Sequence, residues 1–340
     1  MAKARRVSAV ILYDNKDISA SLAPYLTSLS VTDVMDGEAD SVEVTMEDKA
    51  GLWHSDWFPE RGAMLTVSLK KESWESAEDT EILPLGKFEI DEPAWEGPPD
   101  IVKIKGVSIP SGSVLRSVKK SRTWEKVNLS QIVSDIAADA GMESLYDTDD
   151  DPLIERAEQT EQSDLQFLRK QAKDAGLALK VSDEKIVIFE ERKYEEQAPV
   201  ATLTRGASSV ISYSLKATIK EIYKACHVKY NDAVSGELIE YTFTAPGREN
   251  MDGLTLEINE DVKSIADAEK LAKGKLREKN SSEYTISLTC FGNFLLSASS
   301  TVTLSNFGVF DGKYIITKAT HSIGGGYTTK IDLRKCLNGY

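Results

Sequence analysis

From residue 42 the chain alternates: Val42, Val44 and Met46 stand between Glu43, Thr45 and Glu47. Leu65, Val67 and Leu69 alternate with Thr66, Ser68 and Lys70, and Phe88 and Ile90 lie among Lys87, Glu89 and Asp91. A period of two with one polar face belongs to a half-buried antiparallel strand, because successive side chains leave a strand on opposite sides. Turn residues separate the runs at Asp36-Gly37, Arg61-Gly62 and Gly97-Pro98-Pro99. Residues 1–115 therefore predict a sandwich or small barrel of short strands.

The period changes at Asn128. Leu129, Ile132, Val133, Ile136, Ala137 and Ala140 form one stripe of a helix. Asn128 with Gln131 is a capping-box pattern, and Gly141 is the stop. Ser163 and Gln166 open a second helix of the same design, carrying Leu165, Leu168, Ala172 and Ala175 to Gly176. Both end in Asp-Ala-Gly and an apolar residue, at Asp139 to Met142 and at Asp174 to Leu177. A strand predicted at Ile186 to Phe189 follows. Residues 116–197 thus read as an α/β domain with two helices, inserted between β regions.

Alternation returns near residue 200. Strands are predicted at Cys226 to Tyr230, Ile239 to Phe243, Tyr284 to Cys290, Val302 to Leu304, Tyr314 to Ile316 and Thr329 to Leu333. One helix interrupts them, opened by Ser264 and carrying Ala268, Leu271, Ala272 and Leu276 under a Lys-, Arg- and Glu-rich face. Gly324-Gly325-Gly326, between two strands, reads as a hairpin turn and not a phosphate cradle. The fold class is α+β and β-dominated, with 218–340 forming a second β domain.

Composition narrows the function classes. The 340 residues are 41% hydrophobic and 28% charged, which is ordinary for a folded domain and excludes disorder. No apolar run approaches the ~20 residues of a membrane-spanning helix, and the apolar stretch after the basic N-terminus is too short for a signal peptide. The net charge of −14 speaks against specific nucleic-acid binding, which needs cations to displace counterions. Cys226, Cys290 and Cys336 contain no CxxC pair and read as reduced thiols.

Candidate chemistry is thin. His54, His227 and His321 are scattered, and no GxSxG, HExxH or Walker pattern occurs. No catalytic, cofactor-binding or metal residue is therefore assigned. Asp147, Asp149, Asp151 and Glu158 match oxygen-ligand positions of a calcium loop, but Pro152 stands where that loop turns on glycine. The segment reads as a solvated acidic linker. Trp53, Trp57 and Phe58 cluster in one loop and suit either a subunit or glycan contact or a plug for the end of a barrel.

One stretch carries a resemblance. Gln159-Thr160-Glu161-Gln162-Ser163-Asp164-Leu165-Gln166-Phe167-Leu168, running to Ala175-Gly176-Leu177, resembles the signature of baseplate hub proteins of contractile phage tails. That family is also called late control protein D, and the segment recurs in the hub part of type VI secretion spike proteins. Gly308 to Ile316, His321-Ser322-Ile323 and Gly326 to Thr329 are similar to its closing strands, and Gly86 to Asp91 more loosely to a strand of its first barrel.

The resemblance implies two related β-barrel domains around the insert, the first completed by 198–217. It implies a homotrimeric ring between the hexameric tail tube protein and a trimeric spike protein, in contact with other baseplate proteins. No cofactor, enzyme activity or membrane is implied. The location would be the virion tail baseplate, assembled in the bacterial host cytoplasm. Because the chain stops after the last predicted strand, the hub alone is expected, with the spike a separate protein. Trp53, Trp57 and Phe58 become candidates for the subunit interface. The competing reading is a cell-wall-degrading enzyme or glycan-binding tail component.

Overall fold

The computed structural model describes residues 5–53, 55, 57–74, 79–108, 114–182, 184–231 and 238–340. The chain divides into two compact units. The first takes Met1–Glu191 with Thr289–Ala298 and Thr317–Ile331, and the second takes the remainder.

In the first unit the alternating runs become strands Ser41–Glu47, Met64–Glu72 and Thr80–Glu96. They join Arg6–Tyr13, Leu26–Val34 and Ile101–Val107 in one antiparallel sheet. Its core face carries Leu29, Val31, Val42, Val44, Val67 and Phe88, all nearly without exposed surface. Val42 lies opposite Gly106, where a Cβ would stand 3.1 Å from the Val42 side chain and 3.0 Å from the Glu89 carbonyl. Only glycine lets these strands approach so closely.

One partner in this sheet comes from far along the chain. Leu29 to Val34 pair with Lys318 to Ile323 of the strand Gly312–Ile323. In the segment 198–217, Ala201–Thr204 runs parallel to Thr301–Ser305, and Val210–Ala217 neighbours Tyr284–Phe291. Among the described residues no pairing closes the first sheet into a barrel. Its end strand Arg6–Tyr13 has only the two-residue strand Lys16–Asp17 on its outer side, where Leu12 and Tyr13 turn back.

The helical segment lies in the same unit. Leu129–Ala140 and Asp164–Asp174 bury Ile132, Ile136, Phe167 and Leu168 against Leu179, Ile186 and Ile188 of a three-stranded sheet. Two strands that alternation did not reveal, Lys119–Asn128 and Leu153–Ser163, form an antiparallel pair beside the helices. The basic stretch Lys119-Lys120-Ser121-Arg122 therefore lies in a strand. The ammonium of Lys180, in Ala178–Ser182, meets the carboxylate of Asp33, lies 3.6 Å from that of Asp40 and donates to the Val34 carbonyl at 2.9 Å. These bonds tie the helical segment to the strand Leu26–Val34 within the unit.

The second unit packs helix Ile265–Asn280, through Ala268, Ala272 and Leu276, on Cys226 and Val228 of Ala225–Asn231. That strand is flanked by Leu238–Thr244 and Thr255–Ile258. Buried Asn280 ends the helix, receiving the Tyr223 amide and donating to the Tyr223 carbonyl and the Tyr340 hydroxyl. Glu195 is also buried, and answers Arg277 at 2.7 Å, Arg334 and the Leu337 amide at 3.0 Å.

Candidate functional site

The signature segment forms a buried polar network. Ser163 is the N-cap of Asp164–Asp174, accepting from the Gln166 amide while the Gln166 side chain accepts from the Ser163 amide. Asp164, in the first turn, has no exposed surface. Its carboxylate takes bonds from Lys120 at 2.8 Å, Arg122 at 2.6 Å and Gln159 at 2.8 Å. Gln159 accepts from Arg122 Nε at 2.8 Å and donates to the Gln162 carbonyl at 2.9 Å. A buried carboxylate is tolerated only when its charge and lone pairs are answered, and here both are. The Arg122 guanidinium lies 4.7 Å from the Trp124 ring centroid, and Trp124 stacks on Phe167 at 5.2 Å. Outside the network, Arg122 also holds Asp139, whose carboxyl is pushed below its usual range by that bond. The network fixes a helix to the antiparallel pair Lys119–Asn128 and Leu153–Ser163.

The three aromatic candidates separate. Trp53 is 6% exposed and belongs to the first core, edge-on to Tyr25 and Trp57. Trp57 and Phe58 keep 42% and 43% of their surface, and Phe58 stacks on half-exposed Trp95 at 5.1 Å. The structure thus leaves two of the three candidates presented to solvent. His54, in the same loop, lies outside the described residues.

The remaining candidates have local partners. Asp151 accepts from the Ser130 amide at 3.0 Å, the Ser130 hydroxyl at 2.6 Å and the Asn128 side chain at 3.1 Å, so it caps the first helix. The expected capping box of Asn128 and Gln131 does not form; Asn128 makes no side-chain cap, and Gln131 donates to Asp135. Glu158, the other end of the acidic pattern, pairs with Arg156. His227 faces Glu240 at 2.9 Å through Nε2 and Glu257 at 3.6 Å through Nδ1, so its carboxylates lie on opposite sides of the ring and do not converge on one point. Among the described residues no cluster of His, Cys, Asp and Glu is arranged to hold a metal ion. Burial pushes the thiols of Cys226 and Cys290 up to about 11 and that of Cys336 up to about 12, which suits core side chains and not nucleophiles. Gly324 to Gly326 form the turn between Gly312–Ile323 and Tyr327–Lys335, with Gly325 and Gly326 at positive φ. A hollow of about 210 Å³ on the first sheet is lined by Ser30, Thr32, Glu43, Asp91, Glu92 and Lys105.

Known proteins resemble this chain in sequence and in fold. The probable baseplate hub protein of Escherichia phage P2 is 27% identical over 202 residues, covering 58% of this chain and 50% of the relative. The chain spans about half the length of the curated relatives it matches. The crystal structure of a tail protein from Neisseria meningitidis MC58 superimposes with a TM-score of 0.74 at 13% identity, covering 97% of this chain and 96% of that one. A type VI secretion component of E. coli, itself structurally similar to bacteriophage T4 tail proteins, gives a TM-score of 0.58 at 12% identity over 99% and 78% of the two chains. At such identities the two structures speak for the fold. The family model for the phage tail baseplate hub (GPD) matches residues 109–327, more than half of the chain and all of the Asp164 network. The chain belongs to the phage tail baseplate hub (GPD) family.

Proposed function

We propose that the chain is the structural baseplate hub of a contractile phage tail or a phage-derived injection machine. Three copies form a ring that adapts the hexameric tail tube to the trimeric spike. The observation that carries this reading is the family match across 109–327, which includes the signature from Gln159 to Leu168. In this reading the β domain at 1–115 of one copy packs on the β domain at 218–340 of the next, with the insert at 116–197 outside the ring. The contact is heterologous and closes as C3. Trp57 and Phe58, exposed beside Trp95, supply part of its apolar centre, and Trp53 supports them from the core. Three copies carry a formal charge of −42, from −14 each, which keeps a lumen from adhering to DNA or acidic cargo. The role is non-enzymatic, and the hub sits in the virion baseplate after assembly in the host cytoplasm.

Sedimentation with and without the cognate spike protein is the test. A concentration-dependent monomer–trimer equilibrium, driven to trimer by the spike, is the expected result. A stable dimer, or a monomer unmoved by the spike at tens of micromolar, would remove the reading. The exposed Trp57 and Phe58 also favour a rival, a glycan-binding or cell-wall-degrading tail component. Incubation with purified peptidoglycan separates the two, because a hub neither retains nor cleaves it.

A further inference from the structure

His321 is 3% exposed in the strand Gly312–Ile323, and both its ring nitrogens are engaged. Nε2 lies 2.9 Å from the Leu296 carbonyl, which only accepts, so Nε2 carries the hydrogen. Nδ1 is then a bare acceptor for the Tyr327 hydroxyl at 2.8 Å, with Thr329 Oγ1 at 3.4 Å. The same Thr329 oxygen receives the Asn293 amide at 3.1 Å, and the Tyr327 carbonyl receives the Gly292 amide at 2.9 Å. One imidazole, with the two residues beside it, therefore holds down the segment 292–296. That segment buries Phe294 and Leu296 in the first unit and leaves Leu295 exposed.

A second proton on this ring has no acceptor waiting. It would turn Nδ1 into a donor pointing at a hydroxyl that now donates to it, and Tyr327 and Thr329 would have to reorient. The surrounding charges offer little relief. Asp33, on the neighbouring strand Leu26–Val34, is already bonded to Lys180 and to the Ala298 amide at 2.8 Å. Asp40 lies beyond Lys180, at 3.6 Å from it. Lys71 sits over the Phe294 ring at 5.1 Å and is paired with Glu81. Glu81 and Cys290 act on Tyr327, and Cys290 is held neutral by burial.

We propose that His321 is an acid-released latch: neutral, it fastens the segment 292–296 onto the first unit, and protonated, it lets that segment open and present Phe294 and Leu296. Burial depresses the basicity of the ring, with the Leu296 bond and Asp33 opposing less strongly, so the closed form favours the neutral imidazole. The sign follows. A group whose folded affinity for protons is lowered contributes stability at neutral pH and loses it as pH falls below the unfolded value of 6.5.

Hydrogen exchange of the full-length chain at pH 7.5 and pH ~5.5, corrected for intrinsic rates, reads the latch directly. Protection of peptides covering 291–298 should fall by threefold or more, approaching the roughly tenfold that one unit below the unfolded value allows. In His321→Gln, which keeps a donor for Leu296 and cannot be charged, the fall should be under twofold. A wild-type change below threefold, or an equal change in the variant, overturns the proposal. Imidazole ¹⁵N spectra of the wild-type chain guard against a variant that does not fold. The ring should show the Nε2–H tautomer at pH 7.5 and remain neutral at about pH 6.5; a charged ring there also overturns it.

Discussion

The guanidinium of Arg122 reaches the carboxylate of Asp164 at 2.6 Å, on an aspartate with no exposed surface. The two are 42 positions apart, and the bond ties the helix Asp164–Asp174 to the strand Lys119–Asn128. Asp164→Ala removes the carboxylate that answers Lys120, Arg122 and Gln159 together. It should lower stability by about 3–5 kcal/mol, as removal of one partner from a buried ion pair does. Lys120→Met should cost less, because Arg122 and Gln159 still answer Asp164. Urea midpoints of the two variants, compared with the parent, check the order.

The two helices of the insert are capped by different means, and mutation should tell them apart. Ser163→Ala removes a formed capping box and should cost about 1 kcal/mol. At the first helix the cap is a distant carboxylate, so Asp151→Ala should cost about as much. Asn128→Ala removes one bond to that carboxylate and should cost less. Thermal melts of the three variants give the comparison.

The acidic segment should leave calcium in solution. Asp151 is spent on Ser130 and Asn128, and Glu158 on Arg156. Calorimetric titration should find no saturable site at ~10⁻⁷–10⁻⁵ M. A one-site isotherm in that range would refute this.

The three thiols carry a pH signature. Their folded values stand near 11 to 12, raised by burial above the ordinary 9.0. A raised value means the folded form prefers the neutral thiol, so the contribution is intact below about 9 and is lost as pH rises towards 11. A thiol reagent at pH ~8 should therefore label the native chain far more slowly than the urea-unfolded one. The urea midpoint should decline above pH 9 less steeply when Cys290 is replaced by Ala.

Much of this architecture was legible where side chains alternate or stripe. Val42, Val44 and Met46 announced a strand, and Ser163 with Gln166 announced a capped helix, because local geometry decides both. Lys119–Asn128 stayed hidden: its apolar residues, Trp124 and Val127, do not alternate, and its role is to carry cations to a distant carboxylate. Asn128 and Gln131 had the right spacing for a box, yet Asp151 won the helix terminus through tertiary proximity. The signature was visible as a pattern, but only the fold explains why it holds Gln159 and Asp164. Trp53 could not be told from Trp57 by type or spacing, since burial in a core is set by strands far away in sequence.

The pairing of Leu26–Val34 with Lys318 to Ile323 sets an order of events at the ribosome. Thr32 and Thr320, whose hydroxyls meet at 3.1 Å, are separated by 288 positions. At the usual pace of synthesis, an early strand waits roughly 15–60 s for its outer neighbour to emerge. During that wait its backbone offers an unpaired edge to any other nascent chain nearby. A message cut short before residue 318 would leave the vulnerability permanent, so truncated products should aggregate through their first strands even though their helical segment is complete.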